Sequence, residues 1–430
     1  MTGGYRPVDA LVVKAWGVVV GAVVPHTGGY FAFQYEPGWA RLGIELSPSL
    51  MPTRPIGQVH VFAALDRGTY HGLPPMLSDS IPDRFGNALI NAHLGQRGVA
   101  PNQITALDRL AYVGSRGMGA LTFEPRNEPH RPKATALELV ELAEQARRAA
   151  AGELGDDGHI DDIAQLIEVG TSAGGARAKA VVAWNRGTGQ LRAGNADAPN
   201  GFEHWLLKFD GSDPAAEGLA RAIDSGRVEY AYSLMARDAG IDMAETHLLE
   251  AEGAGGEPRA HFMTRRFDRP GGKERIHMQT LCAIAGMDYG FHGVHDYSGY
   301  LLEVASLGLD LGQAFRRMVF NVLARNGDDH TKNFSFLMDR HGAWQLAPAY
   351  DLTFHPWLGR HQMSVAGRFG TISSDDVLAV ADRFQVHDAR RIVNEVLTAV
   401  TRWREHAAAA GIPADLAEQI EESLAKVRGD

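Results

Sequence analysis

The apolar stretch "FRRMVFNVLA" passes through Arg325 directly into "NGDDHTKN", which spans Asn326 to Asn333. The first segment has the apolar content of a buried helix, and the second crowds two acids, a histidine, a lysine and two asparagines into eight residues. A chain that ends a buried helix on so many polar and ionisable groups must give them partners, because unpaired buried polar groups cost several kcal/mol, roughly 2–7 each. The join therefore demands a fold with a helical core that closes around a polar site. The remaining composition allows one. At 430 residues, 45% of them hydrophobic, the chain has material for two or three domains with substantial cores. A formal charge of −10 argues against direct nucleic-acid binding. Cys282 is the only cysteine, so neither an intramolecular disulfide nor a thiolate zinc cluster can form. No apolar run approaches the ~20 residues of a membrane span and "MTGGYRPVDALVVKAWG" lacks the shape of a signal peptide, so a soluble cytoplasmic protein without membrane contact is expected.

Along the chain, residues 1–125 are β-rich. "ALVVKAWGVVVGAVVPHTGGYFAFQYEPGWARLG" alternates short Val, Phe and Tyr runs with Gly and Pro turns, which predicts hairpins. "PMLSDSIPDRFGNALINAHLG" predicts a turn and then an amphipathic helix stopping near Gly95. After the linker "RNEPHRPKA", the segments "ALELVELAEQARRAAAGE" and "IDDIAQLIEVG" carry helical apolar spacing. Strand character returns in "GTSAGGARAKAVVAWN", "HWLLKFD" and "HFMTRRFDR", with a helix at "RVEYAYSLMARDAGI" between the last two. From about residue 275 the chain is mainly helical apart from the hairpin "NFSFLMDRHGAWQLAPAYDL". The domain assignment is 1–125, a β-rich N-terminal subdomain; 126–270, linker helices and an α/β nucleotide-binding lobe; and 271–430, a helical catalytic lobe.

Asp328 and Asn333 are five residues apart, the Asp-to-Asn spacing of the protein-kinase catalytic loop. In that chemistry the Asp takes the proton of the attacking hydroxyl and the Asn oxygen serves magnesium. Asp329 gives a spacing of four, so Asp328 is the better match. The downstream hairpin ends on Asp351, where a second carboxylate could complete an oxygen shell for the ion. "GTSAGGARAK" offers small residues whose backbone N–H groups could cradle phosphate, or else form a plain surface turn. Lys208, ending an apolar strand, is either a phosphate ligand or a lysine whose stem packs while its amine reaches solvent. Glu229, on the next helix, either pairs with Lys208 or sits on a solvated face. Cys282 reads as a buried helix residue. The chain lacks H-E-x-x-H, paired cysteines and G-x-S-x-G, which removes the zinc-hydrolase and serine-hydrolase readings.

In order along the chain, "TSAGGARAK", "LLKFD", "RRFDR", "HMQTLCAIAG", "NGDDHTKNFSF" and "LAPAYDL" make the sequence resemble the HipA family of toxin serine/threonine kinases from type II toxin–antitoxin modules. The resemblance implies an α+β, two-lobed protein-kinase-like fold with a β-rich N-terminal subdomain and a mainly helical C-terminal lobe. It implies ATP and Mg2+ as cofactors, with Gly174, Gly175, Ala176, Arg177, Ala178 and Lys179 as the loop over the ATP phosphates and Lys208 as the strand lysine. Arg265, Arg266 and Phe267 would form the hinge beside adenine, largely through backbone. Asp328 would be the proton acceptor, His330, Thr331, Lys332 and Asn333 the rest of the catalytic loop, and Tyr350 and Asp351 the second metal-binding segment, with Asn333 and Asp351 on the ion. Ser172 stands where the family carries an inactivating autophosphorylation site, with Thr171 as the rival acceptor. The implied partners are a small helix-turn-helix antitoxin of HipB type, DNA only through that antitoxin, and a protein substrate such as a translation factor or an aminoacyl-tRNA synthetase. A small-molecule kinase and a catalytically silent partner-binding protein are the alternatives. The sequence departs from the family at Ala178, where Pro is frequent, and at Arg265, where an acid can stand.

Overall fold

The computed structural model describes residues 5–125, 142, 178–194, 198–210, 224–252, 256, 258–271, 274–355 and 360–428. Its first body is a five-stranded antiparallel sheet in the order β4-β3-β2-β1-β5, from β1 (Leu11–Ala15), β2 (Val18–Pro25), β3 (Phe31–Tyr35), β4 (Val59–His60) and β5 (Leu121–Glu124). Alternation along β1 turns Leu11, Val13 and Ala15 inward, as the period of two in a half-buried strand requires. Helices α1 (Pro37–Leu42), α2 (Arg67–Tyr70), α3 (Pro75–Ser78), α4 (Arg84–Gly95) and α5 (Ala106–Val113) pack around this sheet. The helix expected to stop near Gly95 is α4, started by Asp83, whose carboxylate accepts from the Gly86 N–H at 2.7 Å.

The second body is the antiparallel sheet β7-β6-β8-β10-β9, from β6 (Lys179–Trp184), β7 (Leu191–Ala193), β8 (Glu203–Lys208), β9 (Thr246–Glu252) and β10 (Pro258–Arg265). All six residues of β6 are buried. Phe85 and Leu89 of α4 join their core, so the N-terminal subdomain supplies part of this sheet's cover. Helix α6 (Ser225–Asp238) lies on β10 so closely that a Cβ at Gly226 would fall 1.9 Å from the Ala260 carbonyl oxygen. Glycine is required there, and Glu229 follows one turn later. The two helical segments expected before residue 170 lie outside the described residues, except for Leu142, which is buried in the core of this sheet.

The third body is helical: α7 (Leu281–Ala285), α8 (Tyr297–Ser306), α9 (Leu311–Leu323), α10 (Ser374–Arg383), α11 (Ala389–Thr401), α12 (Trp403–Ala409) and α13 (Ala414–Arg428). Its core also takes in the apolar face of α6 through Val228, Tyr232 and Met235. The expected hairpin is β12 (Ser335–Met338) and β13 (Trp344–Leu346), and it gains a strand the sequence reading left out, β11 (His277–Thr280), on the β12 edge. Four residues of mixed polarity, HMQT, carry too little pattern to reveal a strand; pairing with β12 makes one. Cys282 is buried in α7, as expected. Among the described residues, no helix is long and apolar enough to cross a membrane.

The subdomain that begins the chain touches both other bodies. Asp79 accepts from the backbone and hydroxyl of Thr280, each at 2.7 Å, and Tyr70 donates to the Cys282 carbonyl at 3.0 Å. On the other side, Arg266 and Arg269 both hold Asp268 at 2.7 Å and donate to the Gly117 carbonyl, while Asp268 accepts from the Gly119 N–H at 2.8 Å. Burial opposes the charge on Asp268, but the two guanidiniums outweigh it and hold the carboxyl well below the usual carboxylate range. Asp268→Ala should cost about 3–5 kcal/mol in urea unfolding, the typical result of leaving a buried charge unpaired. Because the folded value is depressed, the stabilisation is complete above the unfolded value of ~3.9 and is lost as pH falls through the folded one. The acid limb of the wild-type stability curve should therefore be steeper than that of Asp268→Asn.

Candidate active site

The join between α9 and the polar octapeptide is held by a hydrogen-bond chain. Asn326 donates to Asn321 at 3.0 Å, Asn321 to the Tyr297 hydroxyl at 2.9 Å, and that hydroxyl to Asp329 at 2.7 Å. Asp329 also accepts from the Gln362 N–H at 2.7 Å and is 2.9 Å from His361 Nδ1. Its side chain is fully buried. These partners explain how a buried helix can end on so many polar groups. They also separate the two acids: Asp329 is absorbed into structure, whereas the Asp328 carboxylate remains part-exposed.

Asp328 Oδ1 accepts from Gln362 Nε2 at 2.8 Å and lies 3.8 Å from His330 Nε2. Burial raises its pKa above the usual value; His330 and His355 oppose the rise, and Asp351 and Asp329 add to it. Asn333 donates its amide to the Asp328 carbonyl at 2.7 Å, which leaves its side-chain oxygen as the group to face a cation. Thr331 is buried and donates to the Met287 carbonyl at 2.5 Å. His330 lies with its ring centroid 5.7 Å from that of Tyr289, and Lys332 places its ammonium 4.4 Å from the same ring centre.

Across the cleft, Lys208 is buried and bonded to both Glu229, at 2.5 Å, and Asp351. The solvated alternatives for Lys208 and Glu229 are thus corrected: Glu229 is 1% exposed, because the close seat of α6 on β10 turns it inward. Burial would raise the Asp351 carboxyl, but Lys208 and then Lys179 outweigh it and hold it well below the usual range. Asp351 has φ +56°, a left-handed backbone that aims its side chain away from the strand direction. Before it, Tyr350 donates to the Lys332 carbonyl at 2.6 Å, shares a 2.5 Å hydrogen bond with Ser335 and packs on Phe267 with ring centroids 5.7 Å apart. One tyrosine therefore links the expected hinge, the catalytic loop and Asp351.

At the expected hinge, the N–H groups of Arg265 and Arg266 donate to the carbonyls of Glu245 and His204. The Arg265 side chain pairs with Glu203 and Glu245, and that of Arg266 with Asp268. Ala178 precedes β6 and Lys179 begins it, while Thr171, Ser172, Gly174, Gly175, Ala176 and Arg177 lie outside the described residues. Lys179 sits opposite Lys208 in the ladder and is 3.3 Å from Asp83, both side chains 3% exposed. Asp83 and Gln362 carry no motif spacing and were missed by the sequence reading. Asp83 lies in the "LSDSIPDRFGNALI" stretch already recognised, and a buried counter-ion for Lys179 was the signal to look for.

Comparisons with known proteins establish the family and the fold. The chain matches the HipA-like C-terminal domain over residues 171–404 and the HipA N-terminal domain over residues 11–124. Among solved structures, HipA of Shewanella oneidensis MR-1, determined with HipB and operator DNA, superposes with a TM-score of 0.62 over 96% of this chain and 95% of that one, at 16% identity. This is the two-lobed, kinase-like α+β fold. The chain belongs to the HipA family. Two curated relatives are the Sinorhizobium fredii protein named "Putative kinase Y4dM", 30% identical over 135 residues, and one from Haemophilus influenzae of the same designation without the suffix, 27% identical over 134 residues. The matched stretches take in 29% of this chain in each case, and 32% and 39% of those relatives.

The two adjacent acids should separate in stability measurements. Asp329→Ala strips a buried tyrosine and a backbone N–H of their acceptor and should cost about 2–6 kcal/mol, at roughly 1–3 per orphaned donor. Asp328→Asn keeps an oxygen to accept from Gln362 at a part-exposed position and should stay within about 0.5 kcal/mol of wild type. Urea midpoints of the two variants check this.

Proposed function

We propose that this chain is an ATP- and magnesium-dependent serine/threonine protein kinase acting as the toxin of a type II toxin–antitoxin module. The observation that carries the reading is the ion-paired set of buried Lys208 and Glu229 with part-buried Asp351, drawn from a strand, a helix and a post-hairpin loop, with Asp351 near enough to Asp328 to raise its carboxyl. On this reading the Lys208 ammonium serves the phosphates and the Asp328 carboxylate takes the proton of the attacking hydroxyl, the two roles that phosphoryl transfer asks of side chains.

The donor set suits magnesium, which prefers a few protein oxygens with phosphate and water completing its shell. Asn333 and Asp351 would hold it, and when bound it supplies charge neutralisation on the phosphates. Glu229 fixes the Lys208 ammonium, and Gln362 orients the Asp328 carboxylate. The part-exposed Asp328 is the proton acceptor, while Asp329 holds the loop. The α/β sheet and the helical lobe form the walls of the nucleotide cleft, Tyr350 and Phe267 closing its inner end. By family analogy a HipB-like helix-turn-helix antitoxin restrains the protein and brings it to DNA, and the target is a component of translation.

Incubation with labelled ATP and a cell lysate should label a protein band, and Asp328→Asn should reduce that labelling by about two orders of magnitude or more, as for loss of general-base catalysis. A labelled metabolite without a labelled protein would replace the reading by a small-molecule kinase.

By family analogy self-inactivation falls to Ser172, which lies outside the described residues. A phosphate of charge about −1.5 to −2 on Ser172 would seek the N–H donors and cations that otherwise serve nucleotide phosphate. Phosphopeptide mapping after incubation with ATP should find Ser172 modified in the wild type and bare in Asp328→Asn. Modification confined to Thr171 would reassign the acceptor.

A further inference from the structure

Beside the segment that carries Asp328, the helical lobe contains a recess of about 260 Å³. Gly327, the residue before Asp328, lies on its wall. Arg325, Arg360, Lys426, His355 and His361 also line it, and no carboxylate does among its described residues. The concentration of cations is not a product of composition, since the chain as a whole has a formal charge of −10.

The recess is assembled from three separate segments. Arg325 ends the turn after α9 and donates to the Ser423 carbonyl at 3.0 Å, which draws the last turns of α13, and so Lys426, against the catalytic loop. His355 is bridged to Asn326, with its N–H 3.3 Å from the Arg325 carbonyl. His361 is held from behind by Asp329, with its Nδ1 2.9 Å from that carboxylate. Arg360 and Lys426 are exposed and take no part in the catalytic arrangement above.

We infer that this recess is a specificity subsite for an anionic side chain of the protein substrate, placed within a few residues of the acceptor hydroxyl. The inference rests on the protein-kinase reading of the same cleft. An acceptor seated on Asp328 would have its neighbours pass Gly327, and an extended segment advances about 3.3 Å per residue, so a side chain one to three positions away reaches the cations. The volume lies below the roughly 300–1,000 Å³ of pockets that enclose whole small ligands, and suits a single carboxylate or phosphate group. One compact basic recess on an acidic protein favours a short acidic peptide over nucleic acid, whose repeating phosphates call for an extended basic track.

Three fluorescent peptides test this: one serine flanked by glutamates, the same serine flanked by lysines, and the same serine with one phosphoserine neighbour. Binding is measured on the full chain and on the double variant Arg360→Glu/Lys426→Glu, at low and high salt. The glutamate peptide should bind about tenfold more tightly than the lysine peptide, with the preference weakened by salt and abolished in the double variant. Nucleotide binding by the variant should be unchanged, which also certifies its fold. Tighter binding of the phosphoserine peptide, lost in the same variant, would assign the subsite to phosphate rather than carboxylate. Equal binding of the acidic and basic peptides, or a preference that survives charge reversal, overturns the inference. An acidic preference that obeys the variants, with no phosphoryl transfer from labelled ATP to any protein or peptide, would instead overturn the kinase reading and leave the anion subsite standing.

Discussion

The fold is organised by the cost of burying charge. Lys208 has left water, and an unpaired ammonium in that position would cost several kcal/mol, so the chain must bring carboxylates to it. It brings two, Glu229 from α6 and Asp351 from the loop after β13. The pairing dictates how α6 sits on its sheet, hence the glycine at 226, and where the helical lobe meets the α/β lobe. A second buried lysine, Lys179, stands opposite the first in the ladder and finds its partner in Asp83, on the N-terminal subdomain. The two sets fix three bodies around one cleft.

Asp83 gives the N-terminal subdomain a part in the cleft that its place in the sequence does not suggest. It starts α4 with Oδ1 and faces Lys179 with Oδ2. Lys332 extends its field toward the same subdomain: its charge acts on both Asp79 and Asp83, in each case against a rise caused by burial. The charges of the cleft are therefore balanced only when the N-terminal subdomain is in place.

Much of this was legible in the sequence because local pattern and local chemistry coincide there. The Val-rich hairpins, the Asp83-started helix and the β12–β13 hairpin all follow from spacing and turn residues. The Asp328–Asn333 interval distinguishes the two acids by arithmetic, and the structure places Asp329 in a buried network and leaves Asp328 part-exposed. What sequence could not supply were relations between distant segments. Glu229 looks like any acid on an amphipathic helix until β10 lies beneath it. Gln362 is separated from Asp328 by 34 positions, and Asp83 from Lys179 by nearly a hundred, with no periodicity to connect them. β11 is a strand only because β12 offers it an edge.

Because the N-terminal subdomain is bonded to the α/β lobe through Arg266, Asp268 and Arg269, and to the helical lobe through Asp79 and Tyr70, the three bodies form a closed mechanical circuit. In a two-body clamp, one flexible joint suffices for the jaws to swing. In a closed circuit every swing must stretch a third link, here a set of buried, charge-assisted hydrogen bonds. Rotation of either lobe against the other must therefore stretch bonds to the N-terminal subdomain, which acts as a brace across the pair.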